Sequence, residues 1–264
     1  MKVKNLISVL FILTAWMFFF HDLPGQLFIF RDAFPLFYPE WKFEAQVYAQ
    51  GYFPLWNPYE YLGLPFLAIT LPAAFYPLIA LFCLLPFDLG FSLFIAVHYL
   101  LAGGCMWLLL RRLRLGPATR SLGAISYMLS GYLVSMQGTL NYLIPLPWLP
   151  LLLLAFEHLL SRPRLRTLLL AAALFAVPLL VGDPQSEIIW LLILLVWLLV
   201  RPSSKRLPPR PALFLLAGLA ALSASLIALQ VLPALELGPF SEKFSGYSFA
   251  EITRWSFPPS RLSE

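Results

Sequence analysis

The stretch Leu71-Pro72-Ala73-Ala74-Phe75-Tyr76-Pro77-Leu78-Ile79-Ala80-Leu81-Phe82-Cys83-Leu84-Leu85-Pro86 decides the fold. It is apolar, yet it is short for a crossing of roughly 30 Å of hydrocarbon, which takes about 20 helical residues. Pro72, Pro77 and Pro86 also interrupt it. If it crosses a bilayer, every later segment changes sides; if it lies along the surface, none does.

Charge decides between the two. With 71–86 on the surface, one side receives Lys2, Lys4, Arg111, Arg112, Arg114, Arg120, Arg162, Arg164, Arg166, Arg201, Lys205, Arg206 and Arg210, most of the 18 basic residues. The other side receives every acidic residue except Glu157. With 71–86 crossing, the Arg-rich loops move outside and only the N-terminal lysines obey the positive-inside rule. The surface reading therefore places the N-terminus in the cytoplasm and leaves about seven spans, near 5–21, 89–110, 118–137, 141–160, 166–181, 186–200 and 211–232.

Composition agrees with a polytopic membrane protein. Of 264 residues, 60% are hydrophobic and 12% charged, against about 25% charged in soluble domains. A chain of 29.9 kDa with a mean hydropathy of +0.80 has too little interior to hide that apolar surface. Solid apolar blocks exclude a β-barrel, whose strands alternate. The net charge of +5 sits in short clusters between apolar blocks and does not indicate nucleic acid. Cys83 and Cys105 lie in apolar stretches without CxxC spacing and read as buried thiols. His21, His98 and His158 are too dispersed to form a metal motif. Ser126 with Ser130, Gly131 with Ser135, and Ala217 with Ala221 have the small-xxx-small spacing of close helix contacts. Pro145, Pro147 and Pro150 predict a kinked start to the fourth span.

The segment 21–88 is too long for a connector. It holds 14 aromatics between His21 and Phe66, including Tyr48, Tyr52, Tyr59 and Tyr61, a density suited to a membrane interface or a cavity wall. Pro39 and Gly51 bracket a short helix, proline turns follow at 53–54, 57–58 and 64–65, and 71–86 reads as a second short surface helix. Together these form a folded external cap. Arg31-Asp32 stands near its start, with a surface ion pair of neighbours as the simpler alternative. Asp183 lies at the tip of a hairpin whose arms of about 15 residues reach roughly 22 Å, so the tip is expected to be recessed below the outer surface. Carboxylates within a membrane commonly mark sites; an Asp capping a wet turn is the competing reading.

These residues carry a resemblance. Arg31-Asp32 with Tyr38-Pro39, Gly51-Tyr-Phe-Pro-Leu-Trp-Asn-Pro-Tyr59, Gly63-Leu-Pro65 and Phe75-Tyr-Pro77 resemble the first external loop of YfhO-type bacterial membrane proteins. Tyr127 to Tyr132, Leu146-Pro-Trp-Leu-Pro150 to Glu157, and Gly182-Asp-Pro-Gln185 continue the likeness. That family is similar in architecture to the GT-C glycosyltransferases, which share an all-α bundle of seven helices and a large structured first external loop. The resemblance implies a multi-pass protein of the bacterial inner membrane that takes a sugar from a polyprenyl-phosphate donor to an extracytoplasmic acceptor. It implies Asp32 as the catalytic carboxylate, with Asp183, Arg31, Tyr38, Trp56 and Asn57 binding substrate; His is commoner in the family where Asp183 stands. A divalent metal is compatible with this chemistry and not required by the sequence. Among the external cations Arg31, Lys42, Lys243, Arg254 and Arg261, Arg31 is nearest to Asp32 along the chain. Residues 1–232 form the membrane module. Residues 233–264 form an external tail, poorly ordered toward its end, which reads as the start of a longer region. A lipid or solute carrier and a non-catalytic fragment are the alternative functions.

Overall fold

The computed structural model describes residues 2–22, 30–60, 62–200, 208–241, 244, 246–254 and 256. Tyr61, Arg201, Lys205, Arg206, Lys243 and Arg261, and with them the expected order of the tail's end, lie outside the described residues. The fold is all-helical. Among the described residues the one extended pairing is the bridge between Asn57 and Leu64.

The helices are α1 (Lys2–Phe19), α2 (Phe37–Ala49), α3 (Leu81–Leu84), α4 (Phe87–Arg112), α5 (Pro117–Met128), α6 (Gly131–Ser135), α7 (Leu140–Leu143), α8 (Trp148–Ser161), α9 (Leu165–Phe175), α10 (Val177–Leu180), α11 (Pro184–Val200), α12 (Pro209–Leu237) and α13 (Phe249–Thr253). Three stretches are long and apolar enough to cross a membrane: Phe87–Arg112, Leu140–Ser161 and Arg210–Phe240. Lys4–Phe19, Leu165–Phe175 and Pro184–Val200 are apolar but shorter. Leu6, Leu10, Phe11 and Phe18 on α1, Ile188, Leu192 and Leu199 on α11, and Phe214, Leu229 and Leu232 on α12 are all exposed. Patches of this extent are rare on soluble monomers and mark a lipid-facing surface.

Several expected spans are broken into pieces. The block 118–137 divides into α5 and α6 at Leu129-Ser130, and Ser130 then caps α6 by accepting from the Leu133 amide. The block 141–160 divides at Pro145 and Pro147, with the Pro145 carbonyl accepting from the Trp148 amide to close the turn. The block 166–181 divides at Ala176, because Pro178 cannot donate to the α9 ladder. The surface helix expected over 71–86 is a 3-10 turn, Pro77–Ala80, followed by the single-turn α3. The small residues are a further correction. Ser126, Gly131, Ser135, Ala217 and Ala221 all face outward, because α1, α4 and α5 pack through other groups. Ser8 and Ser121 share a 2.5 Å hydroxyl contact, and Trp107 donates to Ser8 at 2.9 Å. Cys83 is exposed, against expectation, whereas Cys105 is buried. Glu157, the one acidic residue assigned to the basic side, accepts from Trp197 on α11 at 3.2 Å.

The cap is part of the main core. Phe37 and Trp41 from α2, Tyr76 and Ile79 from the proline-rich stretch, and Phe82 from α3 join Phe91, Phe94 and Tyr99 of α4 in one buried cluster. Trp41 is completely buried, with ring centroids 5.0 Å from Phe94 and 5.5 Å from Phe82. A second cluster joins α8, α9, α11 and α12.

One polar chain crosses the interface between cap and bundle. His98 Nδ1 lies 2.6 Å from the Phe94 carbonyl, so this nitrogen carries the proton and Nε2 is the acceptor. The Tyr76 hydroxyl donates to Nε2 at 2.8 Å and accepts from Trp148 Nε1 at 2.9 Å. Removing that hydroxyl strands a donor and an acceptor out of reach of water, at about 1–3 kcal/mol for each. Tyr76→Phe is therefore expected to lower the thermal midpoint in detergent, followed by tryptophan fluorescence, well beyond Tyr48→Phe, whose hydroxyl bonds one half-buried carbonyl, Ala74.

Candidate functional site

Asp32 lies in a 3-10 turn, Arg31–Ala33, between an extended Phe30 and the start of α2. Ala33 is fully buried and anchors the turn, while Arg31 and Asp32 are exposed. Arg31 has φ 48, a left-handed conformation that side chains seldom adopt. The turn rests on Gly138, at the end of the Met136–Gly138 turn after α6. A Cβ there would come within 2.7 Å of the Phe30 ring and 2.8 Å of Arg31 Cβ. The missing side chain at 138 makes room for the strained turn.

Asp183 is built differently. Gly182, with φ +76, turns the chain after α10, and Asp183 then caps α11, its Oδ1 accepting from the Ser186 amide at 3.0 Å. The carboxylate is 1% exposed and its Oδ2 has no partner. Gly182 presses on the cap: a Cβ there would meet Thr70 Oγ1 at 2.8 Å and the Leu71 amide nitrogen at 3.3 Å. From the other flank, buried Gln230 of α12 donates to the Thr70 carbonyl at 3.2 Å, and its Oε1 has no partner. Thr70 is thus held between the α10–α11 turn and α12. Asp183 lies within electrostatic reach of Tyr132 on α6, the helix leading to the turn under Arg31.

The remaining expected site residues have visible structural partners. Tyr38 donates to Asp88 at 2.5 Å and receives Lys42 at 3.4 Å. The Asp88 contact raises its hydroxyl pKa, and burial adds to the shift. Asn57 is buried, and its Oδ1 accepts from the Tyr59 amide at 3.0 Å, closing the hairpin turn. Trp56 is exposed and covers Gly63. Trp56 and Asn57 belong to this hairpin, whose Tyr59 and Phe66 rings pack on Phe43 of α2.

Two functional candidates were missed from the sequence. Glu40 and Glu44 of α2 are buried, and Glu40 Oε2 and both Glu44 oxygens lack hydrogen-bond partners. Burial, with Glu60 adding its charge, pushes the Glu40 carboxyl up to about 7. Burial pushes Glu44 up to about 8, with the Glu40 charge adding and Tyr48 opposing. The signal was available. Phe37, Trp41, Ala45 and Tyr48 form the inward stripe of α2, and Glu44, three residues after Trp41, falls within it. No group of three or more His, Cys, Asp or Glu side chains able to hold a metal occurs among the described residues.

Residues 64–177 match the family model of the bacterial membrane protein YfhO. The resemblance seen in the motifs is therefore shown over this part of the chain, and the protein is a membrane protein. The YfhO match begins inside the hairpin, runs through Thr70, Tyr76, His98 and Gly138, and ends on α10. It includes the surface on which the Arg31 turn rests, but neither Asp32 nor Asp183. Comparison with curated proteins and with solved structures gives no match.

The buried glutamates make stability depend on pH. Their folded-state pKa values lie above the ordinary carboxyl value, so the native state binds more protons than the unfolded chain, and stability falls as pH rises from about 4.5 through about 8. Glu60, Tyr48 and Cys83 are the titratable groups whose charges couple to this pair. In buffer with a chelator, Glu44→Gln is expected to raise the thermal midpoint at pH 8, where the lost penalty is on the order of a few kcal/mol at about 1.4 kcal/mol per pKa unit. The same variant should change little at pH 4, and thermal scans at the two pH values compare them.

Proposed function

We propose that this protein is a membrane glycosyltransferase of GT-C type, moving a sugar from a polyprenyl-phosphate donor to an acceptor outside the bacterial inner membrane. The observation that carries the reading is the seam between cap and bundle. An exposed carboxylate on a strained turn, Asp32, lies at its margin, and a buried carboxylate with one unpaired oxygen, Asp183, lies within it. The α6 segment leads from the neighbourhood of Asp183 to the surface beneath Arg31, which supports one cavity shared by both acids.

Asp32 takes the proton of an acceptor hydroxyl as that oxygen attacks the anomeric carbon of the donor. The bond from that carbon to the phosphate oxygen breaks, and the polyprenyl phosphate leaves with the electron pair. Arg31 offers its charge to the departing phosphate. Asp183 Oδ2 accepts from a sugar or acceptor hydroxyl, Tyr38 borders the seam from α2, and Trp56 and Asn57 present the hairpin to the substrate. The YfhO match and the apolar helices support this membrane setting. The seven-span arrangement counts α1, α4, α5–α6, α7–α8, α9–α10, α11 and α12 as crossings, with the cap outside.

Transfer from radiolabelled polyprenyl-phosphate hexoses to envelope polymer, measured in membranes carrying the protein, tests the chemistry. Asp32→Asn is expected to lose about 10²-fold or more of the rate, as loss of a general base does, with an unchanged thermal midpoint because the side chain is exposed. Asn is as good a helix cap as Asp, so Asp183→Asn should keep stability and lose transfer. Full transfer in either variant would end that assignment.

Orientation has a separate test. In a background with Cys83→Ser and Cys105→Ser, an impermeant maleimide should label Gln50→Cys in intact cells. It should label Ser161→Cys only after permeabilisation. The reverse pattern would overturn the seven-span topology.

A further inference from the structure

We propose that Arg111, Arg112 and Arg114 form a binding site for the phosphate of an anionic phospholipid, in a cavity between the ends of α4 and α8. The inference does not rest on the glycosyl-transfer reading. It needs only that α4 and α8 end at a membrane surface, and both belong to stretches long and apolar enough to cross one.

The cavity, of about 370 Å³, is lined by Leu108, Arg111, Arg112, Arg114, Leu154 and His158. That volume lies in the range of small-molecule clefts, about 300–1,000 Å³. Leu108 stands three and four residues before Arg111 and Arg112 and shares one face of α4 with them; Leu154 and His158 share one face of α8 in the same way. Arg114 joins them because the chain reverses at the end of α4. The Leu115 amide donates to the Leu110 carbonyl at 3.2 Å, and the Arg114 amide donates to the Arg111 carbonyl at 3.1 Å. These are the two bonds of a Schellman turn, whose left-handed residue is ordinarily glycine. Here that residue is Arg114, with φ 62. A third guanidinium is thus folded back beside the first two, in a conformation that glycine would adopt without strain.

The lining does not balance this charge. It contains no acidic side chain, and among the described residues none is salt-bridged to the three arginines. Glu157, next to His158, directs its carboxylate to Trp197 Nε1 and Ser161 Oγ. Two helix C-termini converge on the cavity, each equivalent to about half a negative charge, so three guanidinium groups leave roughly two positive charges in excess. Arg111 lies with its guanidinium carbon 5.5 Å from the Trp107 ring centroid, a stacking that leaves its N–H donors free to turn outward. Arg120, over the same ring, is committed to Asn5 on α1 and takes no part in the lining. The planar fork of arginine matches two phosphate oxygens at once. Leu108 and Leu154 lie about one turn further into the apolar stretches than the charged groups and form an apolar wall. A soluble phosphate ester has no use for that wall, whereas a phospholipid sets its glycerol and first methylenes against it. Basic pockets between helices at a membrane surface hold anionic headgroups in this manner.

The test uses the full chain, delipidated in a neutral detergent, with bound lipid counted by native mass spectrometry. Phosphatidylglycerol and phosphatidylcholine of the same acyl chains are titrated separately. The first phosphatidylglycerol is expected to bind at least about tenfold more tightly than phosphatidylcholine, a comparison that needs no variant. Arg111→Gln/Arg114→Gln should lose about tenfold or more of that affinity, near fivefold for each arginine removed. Arg162→Gln/Arg166→Gln removes the same charge from the loop after α8, outside the lining, and should change it by about twofold at most. Equal losses in the two pairs would reduce the site to diffuse surface charge and overturn it, as would equal binding of the two lipids. Displacement of phosphatidylglycerol by glycerol phosphate at equal concentration would assign the cavity to a soluble phosphate ester and overturn the lipid. Should the Arg111 and Arg114 pair of substitutions prevent folding, Arg112→Gln is read alone, with a loss of about fivefold expected and no loss contradicting the proposal.

Discussion

The hydroxyl of Tyr76 is the contact on which the cap depends. It sits on a proline-rich stretch that is too broken to cross a bilayer and too apolar to stand in water, so this stretch is stable only when pressed against the helices. Apolar packing brings it there without fixing its position, because Phe82, Phe91 and Phe94 would accept a range of offsets. The chain from Trp148 through Tyr76 and His98 to the Phe94 carbonyl removes that freedom. Each member is a buried polar group satisfied by the next, and shifting the cap would strand several at once. His98 is thereby accounted for as a core residue with both nitrogens engaged.

Two further contacts extend the same registration toward the carboxylates. Thr70 is held by Gln230 on one side and pressed by Gly182 on the other, which ties the cap to the turn that presents Asp183. Gly138 receives the Phe30-Arg31 backbone, which ties the start of the cap to the segment following α6. Both contacts use a glycine as the receiving surface because backbone approaches too closely for a side chain. The cap is therefore referenced to α4 and α8, to α11 and α12, and to the α6 turn, so the two acids occupy positions set by one framework.

Much of this was legible in the sequence, for identifiable reasons. The prolines of 71–86 announced a broken stretch, which is a 3-10 turn and a single helical turn in the structure, and the short helix between Pro39 and Gly51 corresponds to α2, Phe37–Ala49. Hydropathy could not reveal the breaks at Leu129-Ser130 and Ala176, because apolar side chains continue across them while the backbone does not. Small-xxx-small spacing misled, because spacing says nothing about which face turns inward; the contacts went to Ser8, Trp107 and Ser121 instead. Asp183 reads equally as a cap or as a site, and in the structure one oxygen caps α11 while the other is unpaired. Glu40 and Glu44 escaped notice because charged residues on an external helix are ordinarily solvated, and only the stripe shared with Trp41 marks Glu44 as inward-facing.

The acids at the seam differ in the property that matters for proton transfer. A general base must be ionised before the reaction and reachable by the hydroxyl it deprotonates. Asp32 is exposed, on a turn whose strained backbone fixes where the carboxylate stands, and strain of this kind clusters at functional positions. Asp183 is enclosed and half committed to its helix cap, so it suits holding a hydroxyl better than collecting its proton. The glutamates of α2 are buried inside the cap, where burial holds their carboxyls above the ordinary range, which separates them from both roles. A gradient of enclosure thus runs across four carboxylates, from exposed Asp32 through half-capped Asp183 to the glutamates buried within the cap, and under the proposed transfer it suits Asp32 to the proton and Asp183 to positioning.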